Sequence, residues 1–152
     1  MKKIWYALIV FVLLLAGCKK NSVTLNEFIE QAKFNGYLIE ENNTGYETYQ
    51  YIEKVYYAVN REYAYDIQFL ELSDVDYAKK FFNLNAEEIK EKITNKDYVK
   101  NINFSNYEVY HAENDNTYYL IIRSDKNVIY VTAPINYINE IEDFLKELDI
   151  DF

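Results

Sequence analysis

Between Tyr63 and Leu72 the chain alternates strictly enough to limit it to one kind of element. Tyr63, Tyr65, Ile67 and Phe69 fall on one side, and Asp66 and Gln68 on the other. That period of two is the mark of a half-buried strand. Val55, Tyr57 and Val59 repeat it within the longer run Thr48 to Val59, and Asn60-Arg61-Glu62 turns the first run into the second. One dry face and one wet face is what an antiparallel sheet offers.

Helices bracket this pair. Thr24 and Glu27 have capping-box spacing, and Leu25, Phe28, Ile29 and Ala32 follow at i, i+3, i+4 and i+7, which predicts an amphipathic helix closed by Asn35-Gly36. Tyr37 to Glu41 reads as a short strand before the turn Asn42 to Gly45. Ser73 and Asp74 can cap a second helix with Val75, Ala78, Phe81 and Phe82 inward, and Asn85 to Glu88 looks like a further cap leading into Ile89 and Ile93. Asn95 to Asn106 is polar and reads partly as loop. Tyr107 to Ala112, Thr117 to Arg123 and Asn127 to Thr132 read as strands, and Asn136 as the cap of a last helix striped by Ile138, Ile141, Leu145 and Leu148.

These elements predict an α+β fold: one domain over residues 24–152, an antiparallel sheet of five or six strands, and helices packed on one face. Its core should include Phe28, Ile67, Phe69, Phe82, Leu120, Ile122, Ile141 and Leu145. A shift of 62 positions superposes Tyr56-Tyr57 on Tyr118-Tyr119, Arg61 on Arg123, Ile67 on Ile129 and Phe82 on Phe144. The echo points to two ββα-like halves, the alternative being chance identity in a chain rich in Tyr and Ile.

Ahead of the domain, Lys2 and Lys3 precede the uncharged run Ile4 to Ala16, and small residues then lead to Cys18, the one cysteine of the chain. A charged start, an apolar run too short to span a bilayer and a small-residue cut site are the pattern of a secretory signal. The alternative is an uncleaved N-terminal anchor. Leu15-Ala16-Gly17-Cys18 resembles the lipobox of bacterial lipoproteins. That resemblance implies a diacylglyceryl group on the Cys18 thiol, a signal peptide over residues 1–17 and a lipidated tether over residues 18–23. The cell membrane, at its extracytoplasmic face, would then be the first partner. The order of elements, with "DYAKKFF", "NVIYV" and "IEDFLKEL", is similar to small exported lipoproteins of clostridia and related Gram-positive bacteria. The likeness carries an address and a fold class, and no catalytic motif.

Charge narrows the function further. The formal net charge is −9, and removal of Lys2 and Lys3 with the signal makes it more negative by two. Such a surface repels nucleic acid and favours a basic protein or peptide partner, whose attraction should weaken with salt. The bland use of the same charge is solubility. With Cys18 lipidated no thiol is left for a disulfide or a thiolate metal site, so stability must come from apolar burial.

Candidate chemistry is sparse. His111, the lone histidine, shares a strand face with Tyr107 and Val109, and no serine stands in a nucleophile motif beside it. Glu113-Asn114-Asp115-Asn116 offers oxygens but lacks the glycine and the distal glutamate of a calcium loop. Gly17, Gly36 and Gly45 are too scattered to cradle phosphate. No metal or cofactor is therefore expected. Tyrosines remain, 17 of them with 9 Phe. Tyr46, Tyr49, Tyr51, Tyr56 and Tyr57 crowd one hairpin, and Tyr118 and Tyr119 lie in the other half. Both parities of Thr48 to Val59 carry tyrosine, so one set faces away from the core unless both faces are covered. Tyr49, Tyr51, Tyr56 and Tyr118 are the expected recognition residues of a non-enzymatic binding or accessory lipoprotein. A cell-envelope enzyme working through carboxylates is the alternative.

Overall fold

The computed structural model describes residues 22–93, 99–114 and 116–150. Their elements are α1 (Leu25–Phe34), β1 (Leu38–Glu41), β2 (Ile52–Val59), β3 (Asp66–Leu72), α2 (Val75–Lys92), β4 (Val99–Phe104), β5 (Tyr107–Glu113), β6 (Thr117–Ser124), β7 (Asn127–Pro134) and α3 (Ile138–Glu147). The strands form one antiparallel sheet in the order β1-β2-β3-β7-β6-β5-β4. The α+β reading therefore holds, with seven strands instead of five or six. The unforeseen strand is β4. It lies at an edge and pairs with β5 alone, so Asn101 and Asn103 sit in it without disturbing a core. An edge strand needs no clean apolar alternation.

The helices cover both faces of the sheet, which corrects the expectation of one. Phe28 and Ala32 of α1 and Ile141, Phe144 and Leu145 of α3 pack on Ile67, Phe69, Leu120, Ile122, Ile129 and Val131. Across the sheet, Ala78, Phe82, Ala86 and Ile89 of α2 pack on Val55, Leu70, Leu72, Ile121 and Val128. The reason lies in β3. Ile67 and Phe69 make one side apolar, but Leu70 and Leu72 make the other side apolar as well, and two dry faces need two covers. All eight expected core residues are buried, and Phe82 belongs to the second face.

The internal echo survives only at the centre. Gln68 faces Tyr130 across the β3–β7 pair, and these positions differ by the shift of 62 that relates the repeats. Further out the echo fails. Ala58 faces Ile67 while Ile122 faces Ile129, so the outer strands are offset by 64. Arg61 stands in the β2–β3 loop and Arg123 inside β6. Because α2 and α3 pack on opposite faces, Phe82 and Phe144 are not counterparts, and two equivalent ββα halves are not what the chain builds.

Local chemistry sets the helix ends. The Thr24 hydroxyl accepts from the Glu27 N–H and the Glu27 carboxylate accepts from the Thr24 N–H at 2.8 Å, the reciprocal box expected of this pair. Gly36 takes the left-handed conformation after the helix (φ 81°). Asp74 caps α2 by accepting from the Tyr77 N–H at 2.9 Å. Asn85 does not start a new helix: its side chain donates to the Phe81 carbonyl and α2 continues through it. A 3-10 turn (Ile135–Tyr137) precedes α3, so Tyr137 rather than Asn136 occupies the cap.

The sheet has two distinct ends. At one, Ile52 pairs with Leu72, Glu71 with Asn127 and Ser124 with Asn127. The chain enters the domain here. Val23 is buried, its N–H donates to Ser124 Oγ at 3.1 Å, and its carbonyl accepts from the Asn127 side chain at 2.9 Å. The far end holds the β2–β3 loop and the pairs Val59–Asp66 and Thr117–Pro134.

Candidate functional site

α2 packs chiefly on β6, with β7, β3 and β5 beside it. Part of the same face, toward β1 and the far end, is left only half covered. Cross-strand partners share a face of the sheet, so the register defines what is displayed there. One row runs Glu40–Tyr57–Gln68–Tyr130; beyond it on the same face lie the run Leu38–Val59–Asp66 and the pair Thr132–Tyr119. Glu40, Leu38 and Thr132 are exposed, while Tyr57, Val59, Asp66, Gln68, Tyr119 and Tyr130 are half-buried. The polar residues of β3 foreseen on its wet side are thus the centre of a tyrosine-lined quadrant.

The loop from Asn42 to Tyr51 folds over its margin. Asn42 Oδ1 accepts from the Thr44 N–H, Asn43 Oδ1 from the Val55 N–H, and successive turns bond Tyr46 to Asn43, Tyr49 to Tyr46 and Ile52 to Tyr49. This coiled path brings Tyr46 inward, where its hydroxyl donates to Gln68 Oε1 at 3.0 Å. From Tyr46 the rings continue outward. Tyr46 and Tyr49 lie 6.4 Å apart, Tyr49 and Tyr51 5.6 Å, and Tyr51 and Tyr77 stack at 4.8 Å with 5° between their planes. Lys80 Nζ stands 5.2 Å over the Tyr77 ring. Tyr49 is 45% exposed and Tyr77 39%, so one aromatic surface joins the quadrant to the start of α2.

Electrostatics single out Asp66. Burial raises its carboxyl above the usual range, and a hydrogen bond from Gln68 only partly offsets this. Burial also pushes the Tyr46 hydroxyl up to about 12, with Tyr57, Tyr130 and Asp66 adding to the effect. No described Lys or Arg forms an ion pair with Asp66. Lys92, near Tyr130 and Tyr119, is bonded to Glu88 at 2.7 Å. An acid that is harder to ionise in the fold than in the unfolded chain stabilises most when protonated. That contribution is fully present below the ordinary value of 3.8 and is lost as pH rises through the raised folded value. At neutral pH Asp66→Asn should therefore stabilise the free domain, by roughly 0.5 kcal/mol because a half-exposed carboxylate keeps much of its water. Urea melts at neutral pH and below pH ~3.8 should show this advantage shrinking on acidification. An advantage that grows would contradict the assignment.

The four recognition tyrosines drawn from sequence divide evenly. Tyr49 and Tyr51 lie on the aromatic surface. Tyr56 is on the opposite face, half-buried, its hydroxyl donating to Glu41 at 2.7 Å. Tyr118 is fully buried under α3 in the first core cluster, and its hydroxyl has no partner, so it is a core residue and not a recognition one. Tyr46 and Tyr119 stand among the tyrosines singled out in the sequence, whereas Tyr77, Tyr130, Asp66 and Gln68 do not. For Asp66 and Gln68 the signal was present, since both sit on the wet side of a predicted strand. His111 is half-buried with its ring 6.0 Å from Tyr118. Asn114 closes its hairpin turn by bonding to Thr117, and Asp115 lies outside the described residues.

A second polar cluster occupies the far end. Tyr65 donates to Glu140 at 2.7 Å, Tyr37 and Tyr65 share a hydrogen bond of 2.7 Å, and Tyr37 reaches Glu140 at 3.4 Å. Burial is the first cause that lifts both phenols, Tyr37 to about 12. Both stay protonated and donate to the carboxylate. The adjoining cleft, lined by Gly36, Asn60, Arg61, Glu62 and Tyr137 among others, has a volume of about 190 Å³, below the ~300 Å³ at which small-molecule sites begin.

Comparison with protein families, curated proteins and solved structures returns no match. Among the described residues no helix is long and apolar enough to cross a membrane, and no group of three His, Cys, Asp or Glu could hold a metal ion.

Proposed function

We propose that the chain is an exported lipoprotein, anchored through Cys18 to the extracytoplasmic face of the cell membrane, which binds a basic protein or peptide without catalysing a reaction. The observation that carries the reading is the run of ring contacts Tyr77–Tyr51–Tyr49–Tyr46, whose last member bonds Gln68 between Tyr57 and Tyr130 in the sheet. Amphipathic rings of this kind anchor partners when half-exposed. The carboxylate-enzyme alternative draws nothing from the Glu140 cleft, where both available phenols are held protonated.

The anchor and the surface suit one another. Lys19 to Val23 spans under ~20 Å when extended, and Val23 is fixed at the entry end of the sheet. Asp66 lies at the far end, so the quadrant would face away from the bilayer. Two acyl chains give stable anchoring where one is marginal. Cys18→Ser is expected to move the protein from the membrane fraction to the soluble fraction of the producing cells. Retention in the membrane, with no change in processing, would refute the lipid anchor. Crosslinking in intact cells tests the recognition half. Capture of a basic partner by the lipidated protein should fall when Tyr57 and Tyr130 are both replaced by leucine, and capture unaffected by that change would remove the surface from the proposal.

A further inference from the structure

We infer that Asp66 is the seat of a cationic side chain, a guanidinium or ammonium group that the partner inserts between Tyr57 and Tyr130. The inference rests on the quadrant being the recognition surface and names what it recognises. The register puts Tyr57 and Tyr130 on either side of Gln68, two strand spacings or ~9.6 Å apart. Asp66 is the next residue on the same face of β3, opposite Val59. Gln68 is held by Tyr46, whose hydroxyl donates to its oxygen at 3.0 Å. Asp66 is half-buried beside it, close enough that its charge raises the hydroxyls of both Tyr46 and Tyr57, and an ionised carboxylate can accept from several donors at once.

Three properties of this arrangement favour a cation. The centre is a carboxylate that no described Lys or Arg neutralises, although paired acids are common elsewhere, Glu71 with Lys54 and Lys126 among them. The walls are phenol rings, whose faces attract a cation through their quadrupole. Glu40 adds a second carboxylate at the outer end of the Tyr57 row. An anionic group would meet two carboxylates here, and a neutral donor would bond Asp66 without balancing its charge.

The probe is a tetra-arginine amide peptide, titrated calorimetrically into the full-length chain in detergent at low salt. Since any basic peptide is drawn to a chain of net charge −9, the control is Glu30→Gln, an exposed acid on α1 across the sheet. Asp66→Asn should weaken binding roughly tenfold, the loss of a charge-assisted contact in a half-dry site. Glu30→Gln should weaken it less than ~2-fold. Tyr57→Leu and Tyr130→Leu should each weaken it several-fold. If Asp66→Asn matches Glu30→Gln while the leucine variants still weaken binding, the surface recognises the peptide and Asp66 is not its seat. If none of the three differs from Glu30→Gln, both the seat and the recognition surface are overturned.

Discussion

Arg123→Ala is expected to destabilise the domain by about 3–5 kcal/mol, the range for stranding one member of a buried ion pair. Total stabilities of about 5–15 kcal/mol make this enough to unfold a large share of the molecules on mild heating. Arg123 is 1% exposed, near the entry end of β6. It stands in the row Val55–Leu70–Val128–Arg123–Glu108, on the face that α2 covers. Its Nε donates to Glu108, and its two terminal nitrogens donate to the carbonyls of Asp125 at 3.2 Å and Ser105 at 3.3 Å. The guanidinium therefore ties β5 to β6 and both to the turns that follow and precede them. Alanine would leave the Glu108 carboxylate and those carbonyls facing an apolar row. The double variant Glu108→Leu with Arg123→Met removes both charges and fills the space, and should recover most of the loss. Urea melts of the two variants decide the matter. A single variant that costs under ~1 kcal/mol would mean that water reaches the pair.

Arg123 also shows where the sequence could be read and where it could not. Its strand was plain, because Tyr118 to Ile122 is an unbroken apolar run leading to it, yet nothing in a one-dimensional pattern places Glu108 opposite it. That pairing comes from register, which depends on how several strands add up. The same limit explains the tyrosines. Alternation correctly put Val55, Tyr57 and Val59 on one side of β2 and Asp66 and Gln68 on the wet side of β3. Alternation could not say that α2 would cover half of that wet side and leave the rest open. Tyr118 and Tyr119 are neighbours in sequence and belong to opposite faces. Only the position of α3 over one face and of α2 over the other decide that Tyr118 is buried in the core and Tyr119 half-covered. β4 escaped notice for a related reason: an edge strand obeys weaker compositional rules than a central one.

Phe28→Ala should cost about 3–5 kcal/mol, the usual loss for a fully buried phenylalanine, while leaving the affinity for the tetra-arginine peptide unchanged in the molecules that remain folded. Phe28 is wholly buried, with its ring 5.1 Å from Phe69 of β3 and 5.8 Å from Phe144 of α3 at a near-perpendicular 82°. Phe144 in turn lies 5.3 Å from Tyr37, which bonds to Tyr65. One ring thus joins α1, α3 and the sheet, and removing it opens a cavity that three elements would have to close together. Phe34 on the same helix is 82% exposed, so Phe34→Ala should stay within ~0.5 kcal/mol of the parent. The tyrosine quadrant is built on the other face, from residues that share register with β3 but not packing with α1. Two faces covered by separate helices let the α1–α3 face and the tyrosine face be perturbed independently. Calorimetric titration of Phe28→Ala at a temperature where it is still folded tests this separation. A loss of peptide affinity there would mean that the two faces are coupled through β3, the strand that carries both Phe69 and Asp66.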